Sequence, residues 1–164
     1  MKQTKAKLFI KRISTDIDIT CMPIDESIEY YSFLKECHGK GFRQVIVTSE
    51  IMIKIINYFV LKEAYKIYNI EFMESDDSLD AEIESLLDII SKFNSNYLNL
   101  LLEKIYYLSE NSSIDIKRIY FKGRNSKNEA VNFYIQSNGI LGIDIPNFSR
   151  ISQIIVSIVK QSLS

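Results

Sequence analysis

Tryptophan is absent from the chain, histidine occurs once, and proline (2), cysteine (2) and glycine (5) are scarce among its 164 residues. Each shortage excludes something. One histidine and two cysteines cannot fill a multi-imidazole or cysteine-rich zinc site. Cys21 and Cys37 lack CxxC spacing, so no redox pair or disulfide framework is indicated, and a cytoplasmic protein with reduced thiols is the expectation. The shortage of glycine and proline implies long regular elements joined by short connections. No apolar window reaches the ~18–20 residues of a membrane span. The run Leu8-Phe9-Ile10 is too short for a signal peptide's apolar region. No membrane partner is expected.

A dominant charge is also missing. The formal net charge is −1, so no global field draws the chain toward nucleic acid or anionic lipid. The charges are nevertheless segregated. Residues 71–88 contain eight acids and no Lys or Arg, while 117–127 contain five cations and no acid. With 46% hydrophobic and 25% charged residues, the composition is that of an ordinary globular protein. The length fits one domain over 1–164 with a self-sufficient core. Heavy use of Ile, Lys and Asn points to an AT-rich bacterial or phage genome, which concerns origin alone.

The longest periodic signal runs from Ser78 to Glu110, with apolar residues at Leu79, Ile83, Leu86, Leu87, Ile90, Phe93, Tyr97, Leu101, Ile105 and Leu108. Steps of three and four trace one helical stripe. The phase carries across Asn94-Ser-Asn96, which favours one long central helix over two separated there. Its second half, with Leu98, Leu102, Tyr106 and Tyr107, is apolar nearly all round. These four residues are the candidates for contact with a protein partner.

Before that helix, residues 7–13 and 15–21 read as strands, and a helix capped by Asp25 carries Tyr30, Phe33, Leu34 and Cys37, with Gly39 as its left-handed stop. Residues 42–47 read as a buried strand, followed by a helix from Glu50 to about Tyr68 with Thr48 or Ser49 as cap and Asn69 closing it. Residues 70–73 allow one more short strand. After it, residues 114–122, 130–136 and 139–145 alternate with period two and are joined by turn signals, predicting an antiparallel three-strand meander. A last helix carries Phe148, Ile151, Ile155 and Val159. The fold class is α+β: an antiparallel or mixed sheet covered by about four helices.

No catalytic or cofactor signature rises above chance. Cys37-His38 marks a helix end, since adjacent helical residues point about 100° apart. The glycines of His38-Gly-Lys-Gly-Phe42 follow a helix and precede a strand, the reverse of a phosphate loop. Asp16, Asp18 and Asp144, with the acid-x-Lys pair Asp115 and Lys117, offer dispersed carboxylates for a metal-dependent, nuclease-like reading. The segment 116–128 interleaves Lys117, Arg118, Lys122, Arg124 and Lys127 with Tyr120 and Phe121. Cations suit phosphates and aromatics stack on unpaired bases, although a hairpin with Ile119 and Phe121 facing the core gives the same pattern.

Three functions follow. The leading one is a non-enzymatic protein-interaction or regulatory module, self-associating as a homodimer or serving as a subunit of a larger bacterial or phage-encoded assembly. The next is nucleic-acid binding through Lys117, Arg118, Tyr120, Lys122, Arg124 and Lys127. The third is the nuclease-like enzyme. No cofactor and no metal site are expected.

Overall fold

A computed structural model of the chain describes residues 3–74, 76–93 and 97–164. Strands β1 (Gln3–Ile13) and β2 (Asp16–Pro23) lead into helix α1 (Tyr30–Gly39), a short strand β3 (Arg43–Gln44) and helix α2 (Ser49–Asn57). Strand β4 (Lys66–Phe72), helices α3 (Asp77–Phe93) and α4 (Leu98–Ser112), the meander β5 (Ile116–Arg124), β6 (Ala130–Gln136) and β7 (Ile140–Asp144), and helix α5 (Phe148–Leu163) follow. The strands form one sheet in the order β2-β1-β7-β6-β5-β4, with β3 added to β1. Every pairing is antiparallel. The fold is α+β, with the C-terminal meander and final helix at the expected positions.

Alternation decides which face is buried. Ile119 and Phe121 of β5, Val131, Phe133 and Ile135 of β6, and Leu141 and Ile143 of β7 all point to one side. That side is covered by α2, α3, α4 and α5, which contribute Met52, Ile55, Ile83, Leu101, Ile105, Ile151 and Ile155. Phe121 and Phe133 stack with centroids 4.8 Å apart, and Phe59 tilts against both at 5.5 and 4.8 Å. On the opposite side α1 alone of the described helices packs, through Phe33 and Cys37 on Phe9 of β1. The outer face of β4, β5 and β6 is left uncovered by any described helix.

Several boundaries differ from the sequence reading. The helix expected over 50–68 stops early: α2 passes into a π-helical turn, Tyr58–Lys62, and ends as Ala64 adopts a left-handed φ of 57°. Lys66 through Tyr68 then join the sheet as the start of β4, because Ile67, Ile70 and Phe72 fill the core only in extended backbone. Thr48 does cap α2, its Oγ1 accepting from Ile51 N at 3.3 Å. Asp25 instead holds a local turn through Ser27 N at 3.0 Å, and α1 begins at Tyr30. Gly41, not Gly39, takes the left-handed position (φ 90°). Phe42 N bonds Cys37 O and Gly41 N bonds His38 O, the paired bonds of a Schellman ending.

The single long helix is also replaced. Lys104 Nζ lies 3.2 Å from Glu82 Oε2, whereas positions 82 and 104 of one straight helix stand about 33 Å apart. The stripe therefore belongs to two helices that pack on each other. Each half finds its own buried partners, Ile83 and Leu87 near β4 and Leu101 and Ile105 against α2, which a 45 Å rod on a domain of this size cannot do. Residues 94–96, through which the sequence reading carried the helix in preference to a break, lie outside the described residues. Asp76 starts α3 by accepting from Leu79 N at 2.7 Å.

Two measurements test this packing. Phe133→Ala should cost about 3–5 kcal/mol in urea unfolding, a large share of the ~5–15 kcal/mol typical of a domain. Lys7 is fully buried with its ammonium on the carbonyl of Asn138, and burial lowers its pKa from 10.5 to about 8. Between those values the unfolded chain binds more protons than the folded one, so stability should rise with pH across that window. Lys7→Met should flatten the rise; an unchanged pH profile contradicts the assignment to Lys7.

Candidate nucleic-acid interface on the open sheet face

The outer face of the sheet is ordered by strand register. Tyr120 of β5 stands opposite Tyr134 of β6, which stands opposite Gly142 of β7, which stands opposite Lys5 of β1. At the other end of this row β4 bulges between Ile67 and Asn69. The extra residue turns both Tyr68 and Asn69 outward, and Tyr68 remains 46% exposed. Three tyrosine rings thus lie side by side, Tyr68–Tyr120 at 5.4 Å and Tyr120–Tyr134 at 5.8 Å between centroids. Gly142 is required beneath them, since a Cβ there would collide with the Tyr134 ring.

Cations flank the row on both sides. Lys66 and Lys122 face each other directly across β4 and β5. Both are exposed and neither has an acidic partner within ion-pair distance among the described residues. Like charges placed directly opposite in a sheet are destabilising, so this pair carries a cost that folding does not explain. Lys122 also sits 5.8 Å from the Tyr68 ring. Asn132 continues the line on β6.

On the other side, Arg118 lies across the aromatic row, its guanidinium 5.6 Å from the Tyr120 ring and 5.1 Å from the Tyr134 ring. It donates to Tyr120 Oη at 2.6 Å, and that hydroxyl donates to Glu71 Oε1 at 3.0 Å. With its amide oxygen turned toward the guanidinium, Gln136 accepts from Arg118 Nη2 and Nε at 2.8 and 3.2 Å. The hydrogen bond with Tyr120 raises the Arg118 pKa further. Burial raises the phenol pKa of Tyr134, and of Tyr68 where Tyr120 adds to it. Tyr68 and Tyr134 therefore stay neutral beside the fixed charge of Arg118 at neutral pH. Exposed rings of this kind can stack on unpaired bases, and cations beside them can meet phosphates.

Of the residues singled out in the sequence, Arg118, Tyr120 and Lys122 meet on this face, with Arg124 two positions further along the same strand side. Arg124 Nη1 is bonded to Asn128 O at 2.8 Å. Lys127 belongs to the turn that Asn125 organises by accepting from Lys127 N and Glu129 N, both at 3.0 Å. Lys117 sits at the second irregularity of the β4–β5 ladder and faces the sheet edge. Tyr68, Tyr134, Lys66 and Gln136 were not singled out. Tyr134 had been assigned to the solvent side by alternation, which was signal enough; Tyr68 had been placed in a helix.

The protein-contact candidates separate. Leu98 is 2% exposed and belongs to the core, so it leaves the surface group. Leu102, Tyr106 and Tyr107 remain outside with Ile53 around a shallow depression of about 470 Å³. The carboxylate candidates do not meet. Asp18 pairs with Lys11 and Asp144 with Gln3 along β1, eight positions or about 26 Å apart. Asp144 is buried and accepts from Asn147 at 2.6 Å. Asp115 ties helices to the sheet, accepting from Ser49 Oγ at 3.0 Å and Ser109 Oγ at 2.7 Å. Cys37 is buried, and burial raises its thiol pKa, with Glu36 adding to the shift, which keeps it protonated and unreactive.

Gly142→Val should displace Tyr134 from the row while leaving the opposite face packed. The expected result is a changed near-ultraviolet tyrosine signal and Tyr134 ring resonances shifted by NMR, with far-ultraviolet dichroism retained. Unmoved Tyr134 resonances in a folded variant contradict the described contact.

No protein-family model, curated protein sequence or solved structure matches the chain.

Proposed function

We propose that the chain is a non-enzymatic binding module that takes single-stranded nucleic acid on the outer face of β4, β5 and β6. The observation that carries this reading is the unpaired, mutually repelling Lys66–Lys122 pair beside a row of three outward tyrosines. An anionic backbone removes the repulsion between the lysines, and unpaired bases cover the rings. A sheet face with aromatics and flanking cations accommodates two or three stacked bases and favours single strands, whose faces are free. Glu71 is compensated by its bond to Tyr120 and by Arg118 across the strand, so it subtracts little from the local positive charge.

A second reading keeps the protein-interaction or regulatory function, by self-association or within a larger assembly. It is supported by Leu100, Tyr106 and Tyr107, each at least half exposed on α4 beside Leu102. Sedimentation at increasing concentration tests it: a dimer dissociated by Tyr106→Glu supports it, and a monomer throughout removes self-association.

For the main reading, anisotropy of a labelled oligonucleotide gives the test. Single-stranded RNA or DNA should bind more tightly than duplex. Tyr68→Ala should weaken binding by roughly 5- to 150-fold, the equivalent of losing ~1–3 kcal/mol of stacking. The double change Lys66→Gln with Lys122→Gln should lower the slope of log K against log salt by about 1.4, at ~0.7 per phosphate contact. No binding at low salt, or a slope unmoved by the double change, removes the proposal.

A further inference from the structure

The three rings of the outer face are met only by crossing the strands. Along β5 a ligand meets Arg118, Tyr120 and Lys122, and along β6 Asn132, Tyr134 and Gln136, one ring each. Across the strands it meets Tyr68, Tyr120 and Tyr134 in succession, at centroid steps of 5.4 and 5.8 Å. Those steps exceed the ~3.4 Å per nucleotide along one strand of a duplex, so each ring suits one base on a drawn-out backbone. The row continues beyond Tyr134. Its ring lies over Gly142, where a Cβ would collide with it, and Gly142 stands opposite Lys5 of β1. Lys5 is exposed and has no ion-pair partner among the described residues.

Building on the single-strand reading of this face, we infer that the bound strand runs across the sheet from β4 to β1, with Lys5 as the phosphate contact at its far end. From β4 to β1 the sheet order β1-β7-β6-β5-β4 sets four inter-strand spacings of ~4.8 Å, or about 19 Å. At the step set by the rings, that length holds a footprint of about four nucleotides. Lys66 and Lys122 hold one end of it. Arg118 lies over Tyr120 and Tyr134 in the middle, and Lys5 takes the other end.

Acids border both ends. At the β4 edge Asp80, Glu84 and Asp88 of α3 line the same groove as Lys66, Lys117 and Lys122, so a phosphate carried past those lysines meets carboxylates. Asp88 is paired with Lys92 at 3.2 Å, whereas Asp80 and Glu84 have no ion-pair partner among the described residues. At the β1 end the chain leaves β2 for α1, and Ile24 N bonds Lys5 O at 2.9 Å. Glu26, two residues on, is exposed. Burial is the main cause of the raised Tyr134 phenol pKa, and Glu26 adds to it, which puts this acid's charge beside the far end of the row. Physiological salt limits repulsion between exposed charges to about 8 Å. These acids therefore act as end-stops and do not oppose the whole strand.

The test uses the full chain and oligouridylates of two, four, six and eight nucleotides, with affinity counted per binding register. Affinity should rise from two to four nucleotides and stay level at six and eight. Lys5→Gln should lower the slope of log K against log salt for the tetranucleotide by about 0.7, one phosphate contact, and Lys5→Arg should retain it. The dinucleotide, held by Lys66 and Lys122, should keep its affinity and slope in Lys5→Gln. Glu26→Gln combined with Asp80→Asn and Glu84→Gln should let affinity climb again at eight nucleotides; no climb overturns the acids as end-stops. Equal losses for two and four nucleotides in Lys5→Gln overturn the footprint in favour of diffuse charge. Affinity that climbs past four nucleotides in the unaltered chain overturns it as well. Failure of every oligonucleotide to bind removes the reading of the face itself, whereas binding with no step at four removes the footprint alone.

Discussion

The pairing of β1 with β7 is the constraint on which the rest depends. It joins Gln3–Lys7 to Ile140–Asp144, so the two ends of the chain meet in the middle of the sheet. Closing so long a loop is entropically affordable because the cost grows only with the logarithm of length. The ladder is reinforced where β7 begins. Leu8 N bonds Gly139 O at 2.9 Å, Val45 N bonds Leu8 O at 3.3 Å, and Val47 N bonds Ser137 O at 2.8 Å. Lys7 buries its stem at the same place and gives its ammonium to Asn138. Without this joint, the N-terminal strands β1, β2 and β3 and the four strands β4 to β7 are separate pieces, and α5, which rests on both β2 and β7, has no continuous surface to cover.

The same joint makes the two faces of the sheet unequal. Four helices compete for the apolar face, while α1 alone reaches the other and stops at β1 and β2 through Phe9, Phe33 and Cys37. What remains on β4, β5 and β6 must therefore be compatible with water. Tyr, Arg, Lys, Asn and Gln satisfy that condition, but three aligned tyrosines and an opposed lysine pair exceed it. Thr at those positions would serve solubility and strand propensity as well, without ring exposure or like-charge repulsion.

Much of this was legible in the sequence wherever one physical signal dominated. Clean alternation in Val131, Phe133 and Ile135 placed β6 to the residue and put Tyr134 on the outside. The amphipathic stripe of Phe148 through Val159 defined α5. The failures came where two signals competed. Apolar spacing in Ile55, Phe59, Ala64 and Ile67 is as compatible with a helix as with a helix followed by a strand, and only the left-handed Ala64 and the demand of the core for Ile67 and Ile70 decide it. A helical phase maintained from Leu86 to Leu101 is equally satisfied by two helices with buried faces of their own. The tyrosine row required pairing partners 14 and about 50 positions away, Tyr134 and Tyr68 beside Tyr120. No local pattern encodes that proximity.

A net charge of −1 argued against any anionic ligand, yet the argument holds only for a uniform field. In this fold the sheet sorts the charges. Lys66, Arg118 and Lys122 emerge on the outer face, while Asp80, Glu84 and Asp88 emerge from α3 on the inner side. Sheet and helix layers pack with axes about 10 Å apart, and physiological salt screens exposed charges beyond about 8 Å. The two groups meet at the β4 edge, where Lys66, Lys117 and Lys122 line the same groove as Asp80, Glu84 and Asp88; away from that edge each presents its own sign at contact range, and the near-neutral total governs only behaviour at a distance. The sequence segregation of acids over 71–88 and cations over 117–127 was the visible trace of this sorting, since the acids fall on β4, α3 and the connection between them, and the cations on β5 and the turn after it.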